Sequence, residues 1–225
     1  MMLSDYTFMD WNESTTDLDE FPFLVRAYQS KNYAHLSDMV RLLALYKYGG
    51  LYLDTDVKVY RSFDPLLDSD FLCGYIWDCM LGTAVLGSTP RHPIVKSLLE
   101  PYISSSDSID FKLPNNHILT RLFIDEVDGF QLDGHEWRLN GIHVFDRFAF
   151  EQPSFRLRKN YSVHYAAASW RSQSSRTRQV KQLAIKAMGL YLYRRYNSWI
   201  SFRRSAFRTE YNKVRKFTRP LVSKD

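Results

Sequence analysis

The spacing of apolar residues predicts one helix more clearly than any other element. In "HLSDMVRLLALYKYGG", residues 35–50, apolar side chains recur every three or four positions, as on the buried face of an amphipathic helix. That face holds Leu36, Met39, Val40, Leu43 and Ala44. Ser37 or Asp38 can open this helix, and Gly49 or Gly50 can end it. A new element therefore begins directly after the two glycines.

Short apolar runs alternate with helical patterns along the next hundred residues. "LYLDTDVKVY", residues 51–60, is predicted as a strand interrupted by acids. Further strands are predicted in "DYTFMDWN" (5–12), "AVLGS" (84–88), "IHVFDRFAF" (142–150) and "YSVHYAAAS" (161–169). Further helices are predicted in "FPFLVRAYQSK" (21–31), "HPIVKSLLEPY" (92–102) and "HILTRLFIDEV" (117–127). This alternation is typical of an α/β fold, in which helices cover a sheet.

Composition narrows the class of protein. The chain has 225 residues, of which 45% are hydrophobic, and this is enough for one substantial core. No apolar run approaches the roughly 18 residues of a membrane-spanning helix, and the N-terminus lacks a signal-peptide pattern. Cys73 and Cys79 are too few for a disulfide framework. We interpret them as reduced thiols of a cytoplasmic protein.

Charge divides the chain into an acidic body and a basic tail. Residues 171–225 hold 15 Lys and Arg against two acidic residues, a net charge of +13, whereas residues 1–170 carry a net −8. We define residues 176–225 as the basic tail and predict one or two helices in it. Basic residues mixed with aromatics suit a helix that lies on an anionic membrane surface. The chain would then be peripheral on the inner face of the membrane.

Two other interpretations of the basic tail are open at this point. Its helices could instead pack on the body, where their positive charge would match the net −8. Aromatic and basic residues also occur in platforms for single-stranded nucleic acid. No recognition motif accompanies them in this chain, so we expect no nucleic-acid partner.

The most informative polar residues are Asp54 and Asp56, which follow the apolar residues "LYL". Residues two apart on a strand point to the same side, so both carboxylates would project together from the carboxyl end of a buried strand. Ligands bind at that edge in open α/β sheets. Two hard oxygen donors suit Mg²⁺ or Mn²⁺ with a phosphorylated substrate. From the spacing alone, an exposed turn with two solvated acids is equally possible.

A longer motif surrounds this pair. The string "SDMVRLLALYKYGGLYLDTDV", residues 37–57, has the form S-D-x-x-R followed by L-Y-x-x-G-G-x-Y-x-D-x-D-V. It resembles the DXD-containing glycosyltransferase family, which includes Golgi α-mannosyltransferases and bacterial capsular and exopolysaccharide sugar transferases. "AVLGSTPRHPIVKSLLE", "HVFDRFAFEQPSF" and the closing "HYAAASW" of residues 164–170 are similar to later parts of that family. The resemblance covers residues 5 to about 170.

The resemblance implies a GT-A-like, Rossmann-type sheet flanked by helices. The glycosyltransferase domain would occupy residues 1–175, and the basic tail would follow it. The family's usual first strand, of the kind "IPKIIHxxW", is not found before residue 5. An alternative is therefore a truncated or non-catalytic relative that binds a nucleotide sugar or acts as a scaffold.

The reaction implied is transfer of a sugar from a nucleotide-diphosphate sugar to an acceptor hydroxyl, with retention of anomeric configuration. It would need a divalent cation, Mn²⁺ or Mg²⁺, and a glycan or lipid-linked acceptor in capsule, exopolysaccharide or other glycan synthesis. Retention requires an enzyme nucleophile or attack from the leaving-group side, and no residue stands out as a nucleophile. A rival class, the metal-dependent phosphohydrolases, expects Thr or Val where this chain has Lys58.

The resemblance also implies roles at the metal site. Asp56 would ligate the cation directly, and Asp54 would act nearer the ribose or the sugar through a metal-bound water. His164 would complete the metal site, and Ser169 and Trp170 would hold the diphosphate. Without Ser169 and Trp170 downstream, a core histidine would be the preferred interpretation of His164. Trp170 itself could be an ordinary core aromatic.

Other residues would contact the donor. Asp38 and Arg41, one turn apart, would bind the sugar hydroxyls, and Tyr52 would lie near the ribose. The alternatives are an ion pair on the helix surface and an ordinary core tyrosine. Asn115–His117, in "LPNNHILT", fall where the family places polar residues near the reacting sugar, although a loop and a helix cap explain them as well.

Overall fold

The computed structural model describes residues 3–12, 14–104, 114–155, 159–165 and 175–218. Its helices are α1 (Pro22–Gln29), α2 (Tyr33–Tyr48), α3 (Pro93–Ile103), α4 (Asn115–Glu126), α5 (Arg147–Phe150), α6 (Ser175–Arg204) and α7 (Arg208–Thr218). Its strands are β1 (Gly50–Leu53), β2 (Val57–Val59), β3 (Phe71–Trp77), β4 (Met80–Ser88), β5 (Trp137–Leu139), β6 (Ile142–Phe145) and β7 (Ser162–His164). Two 3₁₀ turns, Leu18–Glu20 and Asp64–Leu66, complete the elements of the described residues.

Five strands form the main sheet in the order β1-β4-β3-β6-β5. The β3–β6 pair is parallel, and the other neighbours are antiparallel. The remaining two strands, β2 and β7, form a separate antiparallel ladder. Helices flank the sheet, so the predicted α/β class is confirmed.

The residues of β3 show why the fold is layered. Phe71 and Tyr75 enter a large core shared with α1, α2, α3 and α4, whereas Leu72 enters a smaller core with Phe63 and Phe150. Successive residues of a strand face opposite sides, so each side of the sheet needs its own apolar cover. All five of these side chains are almost completely buried.

Most predicted elements are present, and some boundaries differ. The helix predicted in residues 35–50 begins earlier, at Tyr33, so neither Ser37 nor Asp38 opens it. Gly49 ends it with φ of 67°, as predicted, because glycine adopts this backbone conformation without a steric penalty. The stretch 142–150 is only half strand, because Asp146 accepts a hydrogen bond from the Phe148 N–H and starts α5.

The strand predicted in residues 5–12 is wrong. These residues form a turn and irregular chain, and Phe8 and Met9 are exposed. Alternation alone cannot make a strand unless a sheet edge is available to pair with it. Conversely, the structure contains β3 and β5, which were not predicted. β3 is an unbroken apolar run, which periodicity does not distinguish from a buried helix segment, and β5 has only three residues.

The described part of the basic tail is largely helical, as predicted, and part of it packs on the body. Phe207 and Tyr211 are buried in the large core, and Phe202 packs against it. A kink at Gly189 interrupts α6. Among the described residues, no helix combines the length and the apolar composition that crossing a bilayer requires. The domain boundary near residue 175 stays a prediction.

Candidate functional site

The two aspartates lie in a tight turn between β1 and β2. Asp54 directly follows β1, as predicted, and its N–H donates to the Ala84 carbonyl of β4 over 2.8 Å. The Val57 N–H donates to the Asp54 carbonyl over 3.0 Å and closes the turn around Asp56. The strand periodicity used to predict their proximity was therefore the wrong reason, since Asp56 is not on a strand. The turn holds the two carboxylates near each other instead.

The β2–β7 ladder brings a residue more than 100 positions away to this turn. His164 pairs with Val57 across the ladder, and the Tyr165 N–H donates to the Asp56 carbonyl over 3.0 Å. The His164 Nε2 atom lies 3.1 Å from Asp56 Oδ1 and 3.9 Å from Asp54 Oδ2. One ligand atom from each of these three residues lies within 4.8 Å of the others. Two carboxylates and an imidazole can hold a divalent cation.

A buried carboxylate that sequence reasoning missed lies behind the imidazole. Glu151 Oε2 is 2.8 Å from His164 Nδ1, and Glu151 is only 2% exposed. A carboxylate at this ring nitrogen fixes a histidine ligand with Nδ1 protonated and the other nitrogen free to bind metal. Gly82 leaves the room for this side chain, because a Cβ there would overlap Glu151 Oε1. The sequence signal that could have identified Glu151 is its position as an acid inside the largely apolar "FAFEQPSF", residues 148–155.

Arg41 and Tyr52 converge on Asp54 from the opposite side. Arg41 is 7% exposed, and its Nη1 lies 3.0 Å from Asp54 Oδ1 while its Nη2 lies 3.2 Å from Asp38 Oδ1. The Tyr52 hydroxyl donates to the same Asp54 oxygen over 2.8 Å, and the guanidinium carbon lies 4.6 Å from the centre of the Tyr52 ring. Residues predicted to contact the donor therefore hold Asp54 in place. Their contact with a donor stays a prediction.

The electrostatic balance of the site favours a cation. Burial raises the pKa of Asp54, and the Arg41 guanidinium opposes that rise. In the part of the chain that the structure describes, the charged groups around the site are the carboxylates of Asp38, Asp54, Asp56 and Glu151 and the guanidinium groups of Arg41 and Arg194. With the carboxylates ionised and the imidazole neutral, as metal ligands must be, the sum over these groups is −2. A divalent cation would neutralise it, and an uncompensated excess of this size in a half-buried site is costly.

Asn115–His117, predicted near the reacting sugar, all contact other parts of the protein. Asn115 donates to the Asp38 carbonyl over 3.0 Å, Asn116 accepts from the Thr83 hydroxyl over 2.6 Å, and the His117 ring packs against an aromatic side chain of the tail. The structure thus gives all three packing or hydrogen-bonding roles within the protein.

Ser169 and Trp170, predicted to hold the diphosphate, lie outside the described residues. Their roles therefore stay predictions.

Comparison with known proteins supports the same interpretation of the motif. Residues 2–72 match the family described as "Glycosyltransferase sugar-binding region containing DXD motif". "Mannosyl phosphorylinositol ceramide synthase CSH1" of Saccharomyces cerevisiae is 32% identical over 102 residues, and "Inositol phosphoceramide mannosyltransferase 3" of Schizosaccharomyces pombe is 34% identical over 95 residues. These matches cover 42% and 40% of this chain and 27% of each relative.

Two further similarities are more distant. "Alpha-1,4-N-acetylglucosaminyltransferase" of Homo sapiens is 28% identical over 99 residues, 44% of this chain and 28% of that protein. The solved structure of "PaToxG Glycosyltransferase" has a TM-score of 0.41 and 21% identity, over 52% of this chain and 45% of that one. The predicted resemblance to DXD-containing glycosyltransferases is confirmed by the family match and the named relatives. The matched stretch spans about a quarter of the curated relatives.

Proposed function

We propose that this chain transfers a sugar from a nucleotide-diphosphate sugar to an acceptor hydroxyl, with a divalent cation bound at the turn between β1 and β2. The observation that carries the proposal is the convergence of Asp54, Asp56 and His164 within 4.8 Å. These residues come from two distant parts of the chain, which the β2–β7 ladder joins.

The donor atoms fit Mn²⁺ or Mg²⁺. Both ions take carboxylate oxygens, and Mn²⁺ also accepts an imidazole nitrogen readily, so the imidazole favours Mn²⁺ in this site. A cation bound here would stabilise the negative charge that develops on the departing diphosphate. Arg41 and Tyr52 share one oxygen of Asp54, which leaves its second oxygen to face His164.

We propose retention of anomeric configuration for the transfer. Among the described residues of the site, every carboxylate already has a partner, because Asp38 and Asp54 pair with Arg41 while Asp56 and Glu151 contact His164. This supports attack from the leaving-group side, in which a phosphate oxygen of the donor accepts the acceptor's proton. Mass spectrometric trapping of a glycosyl–enzyme adduct would contradict that route.

The function is tested by donor binding and donor hydrolysis. A panel of nucleotide sugars should raise the melting temperature of the full chain in the presence of Mn²⁺ and less in its absence, since ligands that bind only the folded state stabilise it. Asp56→Asn should abolish the Mn²⁺-dependent part of the shift, whereas the exposed carboxylate control Asp128→Asn should keep it. Slow release of free sugar from one donor would support a transferase. Binding without turnover towards any acceptor would instead favour the non-catalytic relative.

The acceptor proposed is a lipid-linked hydroxyl at a membrane surface. Two relatives carry inositol phosphoceramide or phosphorylinositol ceramide in their names, and such acceptors lie in a bilayer. On α6 after the kink at Gly189, a stripe at helical spacing is exposed, and it consists of Leu192, Tyr196 and Trp199. Arg203 lies over the Trp199 ring at 4.8 Å, and basic residues beside exposed aromatics favour anionic lipid.

Flotation with liposomes tests this membrane contact. The full chain should float with vesicles containing phosphatidylserine and stay at the bottom with neutral vesicles. The pair of substitutions Leu192→Ser and Trp199→Ser should prevent flotation, while the same change at the exposed Leu139 of β5, away from the tail, should not. Equal flotation of both variants would contradict a role for the stripe. The synthesis of capsule, exopolysaccharide or glycolipid is the process in which such an acceptor would be used.

A further inference from the structure

One side chain of the basic tail reaches the candidate metal site. Arg194 of α6 donates from Nη2 to the backbone carbonyl of Glu151 over 3.1 Å. Glu151 is the residue whose carboxylate bonds His164. The tail is therefore connected to the site by a guanidinium group, although residues 151 and 194 are far apart in the chain.

The guanidinium has more donors than the described residues of the protein bond. Within the described part of the chain, Arg194 Nε is shielded from solvent and has no hydrogen-bond partner. A buried donor without a partner costs free energy comparable to a lost hydrogen bond. Such an atom beside a candidate site is explained if a ligand supplies the missing acceptor.

The charge of Arg194 is also only partly compensated. Burial lowers the pKa of Arg194, and the carboxylates of Glu151 and Asp56 oppose that fall. The Glu151 carboxylate is already bonded to His164, so Arg194 has only the Glu151 carbonyl as its hydrogen-bond acceptor among the described residues. A charge that is half-buried in this way is expected to be matched by an opposite one.

We infer that Arg194 is a donor-binding residue that contacts the diphosphate of the nucleotide sugar. The inference rests on the proposed function and extends its site to a residue of the tail. The planar guanidinium presents paired N–H groups that match two phosphate oxygens. A diphosphate bound through a cation at Asp54, Asp56 and His164 would bring its negative charge close to the Arg194 guanidinium. The N–H groups of Arg194 that have no partner in the described part of the chain would then donate to the phosphate oxygens.

The neighbouring residue provides a contrast. Arg195 follows Arg194 on the same helix but is exposed, and it lines a cleft of about 240 Å³ with Arg147 and Trp199. The two arginines have the same charge and adjacent positions. Of the two, Arg194 is the one that bonds Glu151 beside the metal site. Comparing substitutions of the two residues therefore distinguishes an effect of this local contact from an effect of the tail's positive charge.

The experiment compares Arg194→Gln with the matched control Arg195→Gln. Isothermal titration calorimetry with Mn²⁺ would measure the affinity of the full chain for UDP and GDP and for UMP and GMP. For the preferred base, Arg194→Gln should weaken diphosphate binding at least about tenfold, equivalent to about 1.4 kcal/mol. It should weaken monophosphate binding less, because the second phosphate is missing. Arg195→Gln should bind both as the wild type does.

The outcomes separate this inference from the proposed function. If the wild-type chain with Mn²⁺ binds no nucleoside diphosphate, the proposed function itself fails. If the wild type binds and Arg194→Gln binds equally well, or loses both nucleotides to the same extent, the inference is overturned and Arg194 only fastens α6. If Arg194→Gln does not fold, the same titration is made with Arg194→Lys. Lysine keeps the positive charge on a single nitrogen atom but lacks the planar pair of N–H groups that matches two phosphate oxygens. Wild-type affinity in that variant would also overturn the inference.

Discussion

Replacement of Glu151 by glutamine should weaken metal binding without removing any metal ligand. Glu151 does not face the candidate cation, because its Oε2 bonds the far nitrogen of His164. The carboxylate orients the ring and keeps the Nδ1 proton, so that Nε2 is free to act as a ligand. Glutamine fits the same space, but its neutral amide oxygen is a weaker acceptor, and its NH₂ group can also turn towards the ring.

The expected magnitude follows from the 2.8 Å separation between Glu151 Oε2 and His164 Nδ1. A hydrogen bond to a charged group contributes about 1.5–3 kcal/mol, roughly twice a neutral one. Losing the charged part of that contribution corresponds to about a tenfold change in affinity. This lies at the lower end of the roughly 10- to 100-fold loss that such supporting carboxylates cause when mutated.

Titration of Mn²⁺ followed by electron paramagnetic resonance would measure this affinity directly, with no need for turnover. The chain contains a matched control, because Glu136 Oε1 lies 2.7 Å from His143 Nε2 in β6 and belongs to no candidate site. Glu136→Gln should therefore leave Mn²⁺ affinity unchanged. Equal affinities for wild type and Glu151→Gln would refute the idea that this carboxylate prepares His164 for metal.

Three further predictions test the fold around the site. Gly82→Ala should displace the Glu151 carboxylate, since its Cβ would overlap Oε1, and should lower Mn²⁺ affinity in the same titration while circular dichroism stays native. Leu42→Ala, at a completely buried position of α2, should lower the free energy of unfolding by about 2–5 kcal/mol, measured by urea denaturation; a loss under 1 kcal/mol would contradict the packing. His92 accepts at Nδ1 from the Ile94 N–H and caps α3, and burial lowers its pKa, so the unfolded state binds the proton more readily. The stabilisation that His92 contributes to the folded state is therefore complete above its unfolded pKa of about 6.5, and it is lost as pH falls through the lower folded pKa. A cap of this kind contributes about 1 kcal/mol to the free energy of unfolding. His92→Asn should therefore reduce the difference in unfolding free energy between pH 7.5 and pH 5 by this amount.

The part of the site that could be predicted from the sequence is the part that is local in the chain. Residues 37–57 contain a complete helix end, a strand and the turn that carries both aspartates, and the physical chemistry of Gly49 and of two nearby carboxylates is readable at that scale. Even there, the reason was partly wrong, because a turn and not a strand holds Asp56. The predicted proximity of Asp54 and Asp56 is nevertheless found, because a strand and a turn both leave the two carboxylates close to each other.

The rest of the site depends on pairings that no local pattern contains. His164 reaches the acids only because β7 pairs with β2, and both strands have three residues, too short to carry a periodic signal. Glu151 looks like an isolated acid in an apolar stretch until Gly82 of β4 is seen to make room for it. Arg194 looks like one of many charges in a basic tail. What distinguishes it is a buried donor, and burial is a property of the packed chain. The tail, whose charge favoured a helix on a membrane surface, thus supplies the core residues Phe207 and Tyr211 and also Arg194, which bonds Glu151. A cut after residue 175 would remove all three, and it should cost stability as well as donor binding.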